Sequence, residues 1–331
     1  MLEAMHYVKR KNDVVQCELC PRNCVIAEGA SGVCKARKNI GGRLQSLVYA
    51  KPVATHVDPI EKKPLFHFHP GELIFSIGPV GCNLMCQHCQ NWQISRAAPD
   101  LDTETLPPEN VVGLALQDDC RMIAYTYTEP TIFYEYMIET AKIARQQGLK
   151  NVIVSNGYIN KKPLQELLPY IDAANIDLKG FSEMFYKDMC FASLQPVLET
   201  IKTIAESDVW LELTNLIIPG QNDDMGKIDE MCAWIEKNAG KDTPLHFSRF
   251  FPHHKMKDLR PTPERTMMKA VDLGKKHLNH IYIGNMVTES GENTYCHRCN
   301  RLLIGRSGFG IIVNKIKEGR CPCGEKIKGV W

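Results

Sequence analysis

The chain has 331 residues, of which 44% are hydrophobic, and its formal net charge is +2. That length and apolar fraction suffice for one barrel-sized α/β domain with small appendages. The balanced charge, without a long basic block, argues against nucleic-acid binding. Residues 1–13 lack the apolar core of a signal peptide, and no apolar stretch reaches transmembrane length. We therefore expect a cytoplasmic protein that does not bind a membrane.

Strand-like and helical patterns alternate along the middle of the chain. Strands are predicted at Leu73–Ile77, Met122–Tyr127, Asn151–Ser155, Ala174–Leu178, Val209–Ile218, Leu245–Phe250 and Ile281–Gly284. Helices are predicted at Pro108–Gln117, Pro130–Gln147, Leu194–Ser207, Ile228–Asn238 and Pro263–Leu278. Such alternation is typical of parallel strands with right-handed crossovers. It predicts an α/β fold with a partial (β/α)6 TIM-like barrel, and an open doubly wound sheet is the alternative.

Two flanking segments differ from this alternating middle. Residues 1–70 are rich in glycine, proline and charge, and residues 286–331 return to short strands and turns. We predict three regions: an N-terminal cysteine-rich extension (1–70), the barrel (71–285) and a zinc-ribbon-like segment (286–331). Of the fourteen cysteines, eleven fall in three clusters at ligand spacing. In a cytoplasmic chain such clusters indicate metal sites rather than disulfides.

The middle cluster is a C-x₃-C-x₂-C run, Cys82, Cys86 and Cys89, directly after the first predicted strand. Three thiolates so close together suit three irons of a cubane cluster and leave the fourth iron without a protein ligand. An iron–sulfur centre with an open corner suits catalysis better than electron storage. The alternatives are disulfides or a zinc site, in which His88 or His67 would supply the fourth ligand.

Polar residues also follow the next three predicted strands. Glu129 comes after the second strand, Ser155 and Asn156 end the third, and Asp177 and Lys179 end the fourth. The carboxyl ends of barrel strands carry the active site, so we predict that these residues line it, where a cofactor would bind. Each also has a structural alternative: a helix cap for Glu129, a tight Asn-Gly turn for Asn156, and a salt bridge for Asp177 with Lys179.

Two later strands add Asn215 and His246, which we group with the cofactor-binding residues. His246 also belongs to a polar crown around the sixth strand and its loop. The other members are Arg249, His253, His254 and Lys255. Such a crown suits substrate orientation and proton handling.

The two outer cysteine clusters predict accessory metal sites. Cys17, Cys20, Cys24 and Cys34 supply four thiolates for a structural zinc ion or a second iron–sulfur cluster. Zinc is the first interpretation, because so polar a segment needs a metal to fold. Two short pairs near the other end resemble a zinc ribbon, with a rubredoxin-like iron site as the alternative. These pairs are Cys296 with Cys299 and Cys321 with Cys323.

The C-x₃-C-x₂-C run resembles the signature of the radical S-adenosylmethionine (SAM) superfamily. The resemblance implies a [4Fe-4S] cluster whose open iron binds the amino and carboxylate groups of SAM. One electron from an external donor would then release a 5′-deoxyadenosyl radical, which abstracts hydrogen from a protein or small-molecule substrate. Asp177-Leu178-Lys179 is similar to a segment of the glycyl-radical activating enzymes, such as the pyruvate formate-lyase activase. That similarity implies that Lys179 binds the SAM carboxylate and that Asp177 holds a cation or orients this lysine. Thr128-Glu129-Pro130 lies where the superfamily has a Gly-Gly-Glu-Pro-like turn, which implies a SAM-ammonium contact for Glu129. Ser155 and Asn156 lie where the superfamily contacts the ribose or methionine of SAM.

Further segments resemble one group within that superfamily. They are Asp58-Pro59-Ile60-Glu61-Lys62-Lys63-Pro64-Leu65, His67-Phe68-x-Pro70-Gly71, Cys89-Gln90-Asn91-Trp92, Thr294-Tyr295-Cys296 and Gly329-Val330-Trp331. Together they look like the radical SAM enzyme of the AmmeMemoRadiSam system. The resemblance implies work alongside Memo-like and AMMECR-type proteins, and it leaves the substrate open.

Two other classes of function compete with this interpretation. A non-catalytic module that carries several metals, transfers electrons or docks other proteins would also use clustered cysteines. RNA modification would require a basic face, which the balanced charge does not indicate.

Overall fold

A computed structural model describes residues 1–99, 103–288 and 290–331. Its N-terminal segment forms two small antiparallel sheets, ordered β1-β6-β5 and β2-β3-β4. Their strands are β1 (Leu2–Glu3), β2 (Tyr7–Lys9), β3 (Val15–Cys17), β4 (Val25–Ile26), β5 (Arg37–Ile40) and β6 (Arg43–Ser46). The buried salt bridge between Arg37 and Glu135 ties this segment to the rest of the chain.

An eight-stranded sheet lies at the centre of the molecule. Its strands are β7 (Pro52–Pro59), β8 (Leu73–Pro79), β9 (Met122–Tyr125), β10 (Lys150–Ser155), β11 (Ala173–Asp177), β12 (Trp210–Ile217), β13 (Leu245–Arg249) and β14 (Ile281–Gly284). They are hydrogen-bonded in chain order, with β8 to β14 parallel and β7 antiparallel to β8. This confirms the predicted α/β barrel. Strand β7 (Pro52–Pro59) pairs with β8 at one edge of the sheet. The sheet therefore begins before residue 70, where the sequence analysis placed the start of the barrel.

Helices cover the outside of this sheet. They are α1 (Trp92–Ser95), α2 (Pro108–Gln117), α3 (Tyr134–Gln146), α4 (Lys161–Leu167), α5 (Glu183–Phe185), α6 (Gln195–Ala205), α7 (Met225–Ala239) and α8 (Glu264–Gly274). Short 3₁₀ helices occupy Ile60–Lys62, Pro130–Phe133 and Leu168–Tyr170, and a π-helix occupies Tyr186–Cys190. The side chain of Asp224 caps α7 by accepting a hydrogen bond from Lys227 N at 2.8 Å. None of the described helices is long and apolar enough to cross a membrane.

Alternation along the strands separates two packed regions. The larger core lies between the sheet and the helices. The smaller core fills the lumen of the barrel with Ile60, Leu65, Phe68, Ile74, Met122, Ala124, Val152 and Ala173. Because residues 60–68 lie before β8, they enter the barrel from the amino-terminal ends of its parallel strands. They close this end as a floor and leave the carboxyl ends of the strands for the polar residues.

The C-terminal segment packs against that floor. Its three antiparallel strands are β15 (Thr294–Tyr295), β16 (Leu302–Ser307) and β17 (Gly310–Asn314). The buried Arg306 of β16 donates a hydrogen bond through Nη2 to Phe66 O at 2.8 Å. Its guanidinium also lies over the Phe66 ring, 4.2 Å from the centroid. The segment therefore supports the end of the barrel opposite to the cysteine loop.

Candidate active site

The loop that carries Cys82, Cys86 and Cys89 leaves the carboxyl end of β8 and is hydrogen-bonded to the π-helix Tyr186–Cys190. Met85 N donates to Cys190 O at 3.1 Å, and Gln87 N donates to Met189 O at 2.9 Å. These acceptors belong to the π-helix, an irregularity that is often found at functional sites. The three thiols are thus positioned by backbone hydrogen bonds rather than by a free loop.

Gly81 permits the close approach of this loop to the N-terminal segment. Its φ is +104°, a conformation that favours glycine. A Cβ atom at this position would lie 2.8 Å from Cys34 O, closer than real Cβ contacts allow. The glycine that precedes the first cysteine is therefore required by both backbone conformation and space.

The surroundings of Cys82 and Cys86 fit a metal cluster. Burial, together with the charge of Glu129, raises the pKa of Cys82. A hydrogen bond with Cys190, together with burial, raises the pKa of Cys86. Thiols with raised pKa values become thiolates only when a metal supplies the positive charge. Sulfur donors in such surroundings suit iron–sulfur chemistry.

The spacing of the thiols separates this site from a single-ion site. Among the described residues, Cys86, His88 and Cys190 offer ligand atoms within 4.8 Å of one another, but the three motif cysteines do not form such a set. A polynuclear cluster spaces its thiolates more widely than one zinc ion does. His88 is therefore placed beside Cys86 and Cys190 instead of completing a tetrahedron with the three motif thiols.

Glu129, Ser155 and Asn156 form one buried hydrogen-bonded group. Glu129 Oε1 accepts from Thr131 N at 3.0 Å, Thr131 Oγ1 at 2.7 Å and Ser155 Oγ at 2.7 Å. Its Oε2 accepts from Asn156 N at 2.8 Å. The carboxylate therefore caps the 3₁₀ helix that follows it, as the structural alternative supposed, and its acceptor capacity is largely used by the chain itself.

Asn156 connects that group to the cysteine loop. Its Nδ2 donates to Asn83 Oδ1 at 2.9 Å and lies 3.7 Å from Cys82 Sγ. Asn83 in turn donates through Nδ2 to Tyr158 O at 2.7 Å. The carboxyl end of β10, which Asn156 follows, thus helps to position Cys82.

Asp177 and Lys179 lie together at the carboxyl end of β11, with Lys179 Nζ 3.0 Å from Asp177 Oδ2. Burial opposes the charge of Lys179, but Asp177, Cys86 and Cys190 outweigh it and raise the pKa of the ammonium well above its usual range. The side chain of Asp177 stays 35% exposed. The pair therefore offers one cation and one anion near the Cys86 thiol.

Two predicted cofactor-binding residues are not part of this arrangement. Glu212 contacts the floor residue Phe66, and Thr214 bonds to Asn175, so the even-numbered residues of β12 face the lumen. Asn215 faces the helices instead, and its Nδ2 donates to Leu178 O at 2.6 Å.

His246 lies near the amino-terminal end of β13, in the floor of the barrel. Its Nε2 is 2.7 Å from Glu212 Oε2, and its ring stacks on Tyr282 with centroids 5.0 Å apart. The sequence analysis grouped His246 with the cofactor-binding residues. How deep this residue lies in the barrel depends on strand register, which the sequence does not show. The structure places it in the floor instead.

A second buried polar group escaped the sequence reasoning. Asp58 Oδ2 accepts from Lys63 Nζ at 2.6 Å and from Tyr127 OH at 2.7 Å. Burial opposes ionisation of Asp58, but hydrogen bonds from Lys62, Lys63 and Tyr127 lower its pKa below the usual range. Tyr127 O also accepts from Asn91 Nδ2 at 2.6 Å, which joins this group to the segment after Cys89. The only sequence signal was the resemblance of the Asp58–Leu65 run to other family members.

The comparisons agree with this geometry. The family model for the radical SAM superfamily matches residues 77–232. An uncharacterized protein of Methanocaldococcus jannaschii is 46% identical over 332 residues, which cover 99% of each chain.

Two more distant matches are an activating enzyme and a radical SAM methyltransferase. The 4-hydroxyphenylacetate decarboxylase activating enzyme of Clostridium scatologenes is 23% identical over 52% of this chain and 56% of its own length. This chain thus spans about half of that relative. A solved radical SAM methyltransferase from Sphaerobacter thermophilus shares the fold, with a TM-score of 0.51, 11% identity and 71% of each chain covered. The chain belongs to the radical SAM superfamily, whose general reaction is the cleavage of SAM.

Proposed function

We propose that the protein holds a [4Fe-4S] cluster with Cys82, Cys86 and Cys89 and uses it to cleave SAM reductively. When bound, the cluster and SAM supply a 5′-deoxyadenosyl radical that abstracts a hydrogen atom from a substrate. The observation that carries the proposal is the placement of the three thiols at the carboxyl end of the barrel, beside the Asp177 and Lys179 pair.

The Asp177 and Lys179 pair is suited to bind the amino-acid part of SAM. An α-amino acid presents one ammonium and one carboxylate, and the pair presents the complementary charges. Glu129 was the first candidate for the ammonium, but its oxygens already accept four hydrogen bonds within the chain. We therefore assign the ammonium to Asp177 and the carboxylate to Lys179, and give Glu129 the role of positioning the loop through Asn156.

The substrate is polar in this proposal. Asp58 on β7 and Lys63 are buried, Tyr127 is half-buried, and their hydrogen-bonded group is joined to the cysteine segment through Asn91. Charged groups in such a place favour a substrate that can form hydrogen bonds. Activation of a glycyl-radical enzyme is the alternative, supported by the partial similarity to the Clostridium activating enzyme. Memo-like and AMMECR-type proteins remain proposed partners.

The test is anaerobic reconstitution with iron and sulfide, followed by SAM, a strong reductant and quantification of 5′-deoxyadenosine. We expect product from the native protein and none from Cys82→Ala. Cys120→Ala is the matched control, because this isolated buried cysteine lies outside the site. Product from Cys82→Ala at the native rate would overturn the proposal.

A second assay addresses the substrate class. The reconstituted enzyme is incubated with SAM and a glycyl-radical enzyme, and the sample is examined by electron paramagnetic resonance. A polar small-molecule substrate predicts no protein-based glycyl radical. A stable glycyl radical on the added enzyme would instead support the activating role.

A further inference from the structure

The two accessory cysteine sets differ in geometry. In the C-terminal set, Cys296 and Cys323 have sulfur atoms 3.7 Å apart, as do Cys299 and Cys321. All four sulfur atoms lie within 4.8 Å of one another. A zinc–sulfur bond of about 2.3 Å in a tetrahedron gives sulfur–sulfur distances of about 3.8 Å. The C-terminal set therefore matches a structural zinc ion.

The N-terminal set surrounds a space instead of closing on a point. Cys17, Cys20, Cys24 and Cys34 all line one cavity, together with apolar side chains that include Leu19, Ile26 and Ile132. All four cysteines are buried or half-buried, and their shared cavity brings their side chains together. Yet, in the part of the chain that the structure describes, these four sulfur atoms do not all lie within 4.8 Å of one another, whereas the four C-terminal sulfur atoms do. Four converging thiols at wider spacing fit a polynuclear cluster.

Arg37 places a buried positive charge at this cavity. It lines the cavity, and its Nη1 lies 3.6 Å from Cys17 Sγ. Its other nitrogen forms a salt bridge with Glu135, which fixes the guanidinium. A cation beside thiolate sulfur stabilises the more negative, reduced form of a cluster. The contact of Arg37 with Cys17 therefore favours the reduced form of a cluster held here.

The cavity adjoins the catalytic cysteine loop. Asn83, which directly follows Cys82, lines the cavity, and Arg22 Nε donates to Asn83 O at 2.9 Å. On the other side, Cys34 O faces Gly81, which directly precedes Cys82. The backbone on both sides of Cys82 thus contacts the segment that holds the N-terminal thiols.

We propose that Cys17, Cys20, Cys24 and Cys34 bind a second [4Fe-4S] cluster that relays electrons to the catalytic cluster. A low-potential one-electron carrier protein reduces the N-terminal cluster by one electron. That cluster is reoxidised when it passes the electron to the catalytic cluster, and no proton or bond changes place. The relay rests on the proposed function, whereas the cluster itself does not.

Metal analysis of the full chain, purified anaerobically, tests the cluster. We expect about eight irons, about eight sulfides and about one zinc per chain. The triple variant Cys82→Ala, Cys86→Ala, Cys89→Ala should keep about four irons and a reducible cluster signal in electron paramagnetic resonance. About four irons with about two zincs in the native chain, and loss of all iron in the triple variant, would overturn the proposal. Because this readout needs no SAM, it can succeed even where SAM cleavage fails.

The relay is tested with the double variant Cys20→Ser, Cys24→Ser, with Cys120→Ala as the control. Its catalytic cluster should still be reduced by dithionite, but should lose reduction by a carrier protein such as a flavodoxin. Reduction by the carrier at the native rate would contradict the relay. If the double variant does not fold, the triple variant Cys82→Ala, Cys86→Ala, Cys89→Ala provides the test instead. In that variant the carrier protein should still reduce the remaining N-terminal cluster. Failure of that reduction, with dithionite still effective, would also overturn the relay.

Discussion

Lys179 Nζ lies 3.0 Å from Asp177 Oδ2, and the two side chains stand at the carboxyl end of β11 beside the cysteine loop. The ammonium is held in its charged form by Asp177, Cys86 and Cys190 against the cost of burial. This pair joins the fold to the proposed chemistry, because the same cation that faces a cluster thiol is also placed to bind an anionic part of SAM.

Lys179→Met should weaken SAM binding. The change removes a charge-assisted hydrogen bond of about 1.5–3 kcal/mol, which corresponds to about a 10- to 150-fold rise in Kd. The measurement is equilibrium binding of SAM to the reconstituted protein, with iron content determined in parallel. Lys269→Met is the matched control, because Lys269 is exposed on α8. An unchanged Kd in Lys179→Met would exclude this lysine from the SAM site.

Glu129→Ala should affect stability more than SAM recognition. The variant leaves buried donors on Thr131, Ser155 and Asn156 without their acceptor. We expect the free energy of unfolding to fall by about 2 kcal/mol or more, measured by denaturant titration. Glu129→Gln, which keeps acceptor oxygen, should lose less stability and bind SAM with nearly native affinity. A stable Glu129→Gln protein that no longer binds SAM would show that the carboxylate contacts SAM.

Cys190→Ala should retain the catalytic cluster but alter its potential. Cys190 Sγ lies within 4.8 Å of Cys86 Sγ, and a thiol that donates a hydrogen bond to cluster sulfur raises the reduction potential. We expect native iron content with a more negative potential, measured by a redox titration. Cys120→Ala should leave the potential unchanged. Loss of iron from Cys190→Ala would instead identify Cys190 as a ligand.

Asp58 should make stability depend on pH. Hydrogen bonds from Lys62, Lys63 and Tyr127 lower its pKa in the folded state, so folding favours its ionised form. Its contribution is complete above the ordinary carboxyl pKa of about 4 and is lost as the pH falls below it. Asp58→Asn should therefore lower stability at pH 7 and flatten its decline toward pH 3. The same slope in the variant and the native protein would assign the acid sensitivity to other carboxyl groups.

The barrel was predictable because its signals are local. The helix Pro108–Gln117 and the strand Ile281–Gly284 have the expected bounds, since proline at the first helical turn and a short apolar run mark them directly. The helix expected from Pro130 begins instead as a 3₁₀ turn, because Glu129 caps it through Thr131 N.

The details of the site were less predictable because they depend on register and tertiary packing. Asn215 and His246 are polar residues on strands, and nothing local shows that one faces the helices and the other the floor. Cys120 and Cys190 are both isolated in the sequence, yet only the π-helix brings Cys190 to Cys86. Glu129 matched a family pattern, but its hydrogen bond with Ser155 joins two strand ends that meet only in the folded barrel.

The most direct test of the central proposal is whether SAM contacts the cluster held by Cys82, Cys86 and Cys89. Electron paramagnetic resonance of the reduced protein, recorded with and without SAM, measures this before any substrate is known. We predict that SAM changes the signal of the native protein and of Cys120→Ala, and leaves the spectrum of Cys82→Ala unaltered. Identical spectra with and without SAM in a fully loaded native protein would contradict the proposed function.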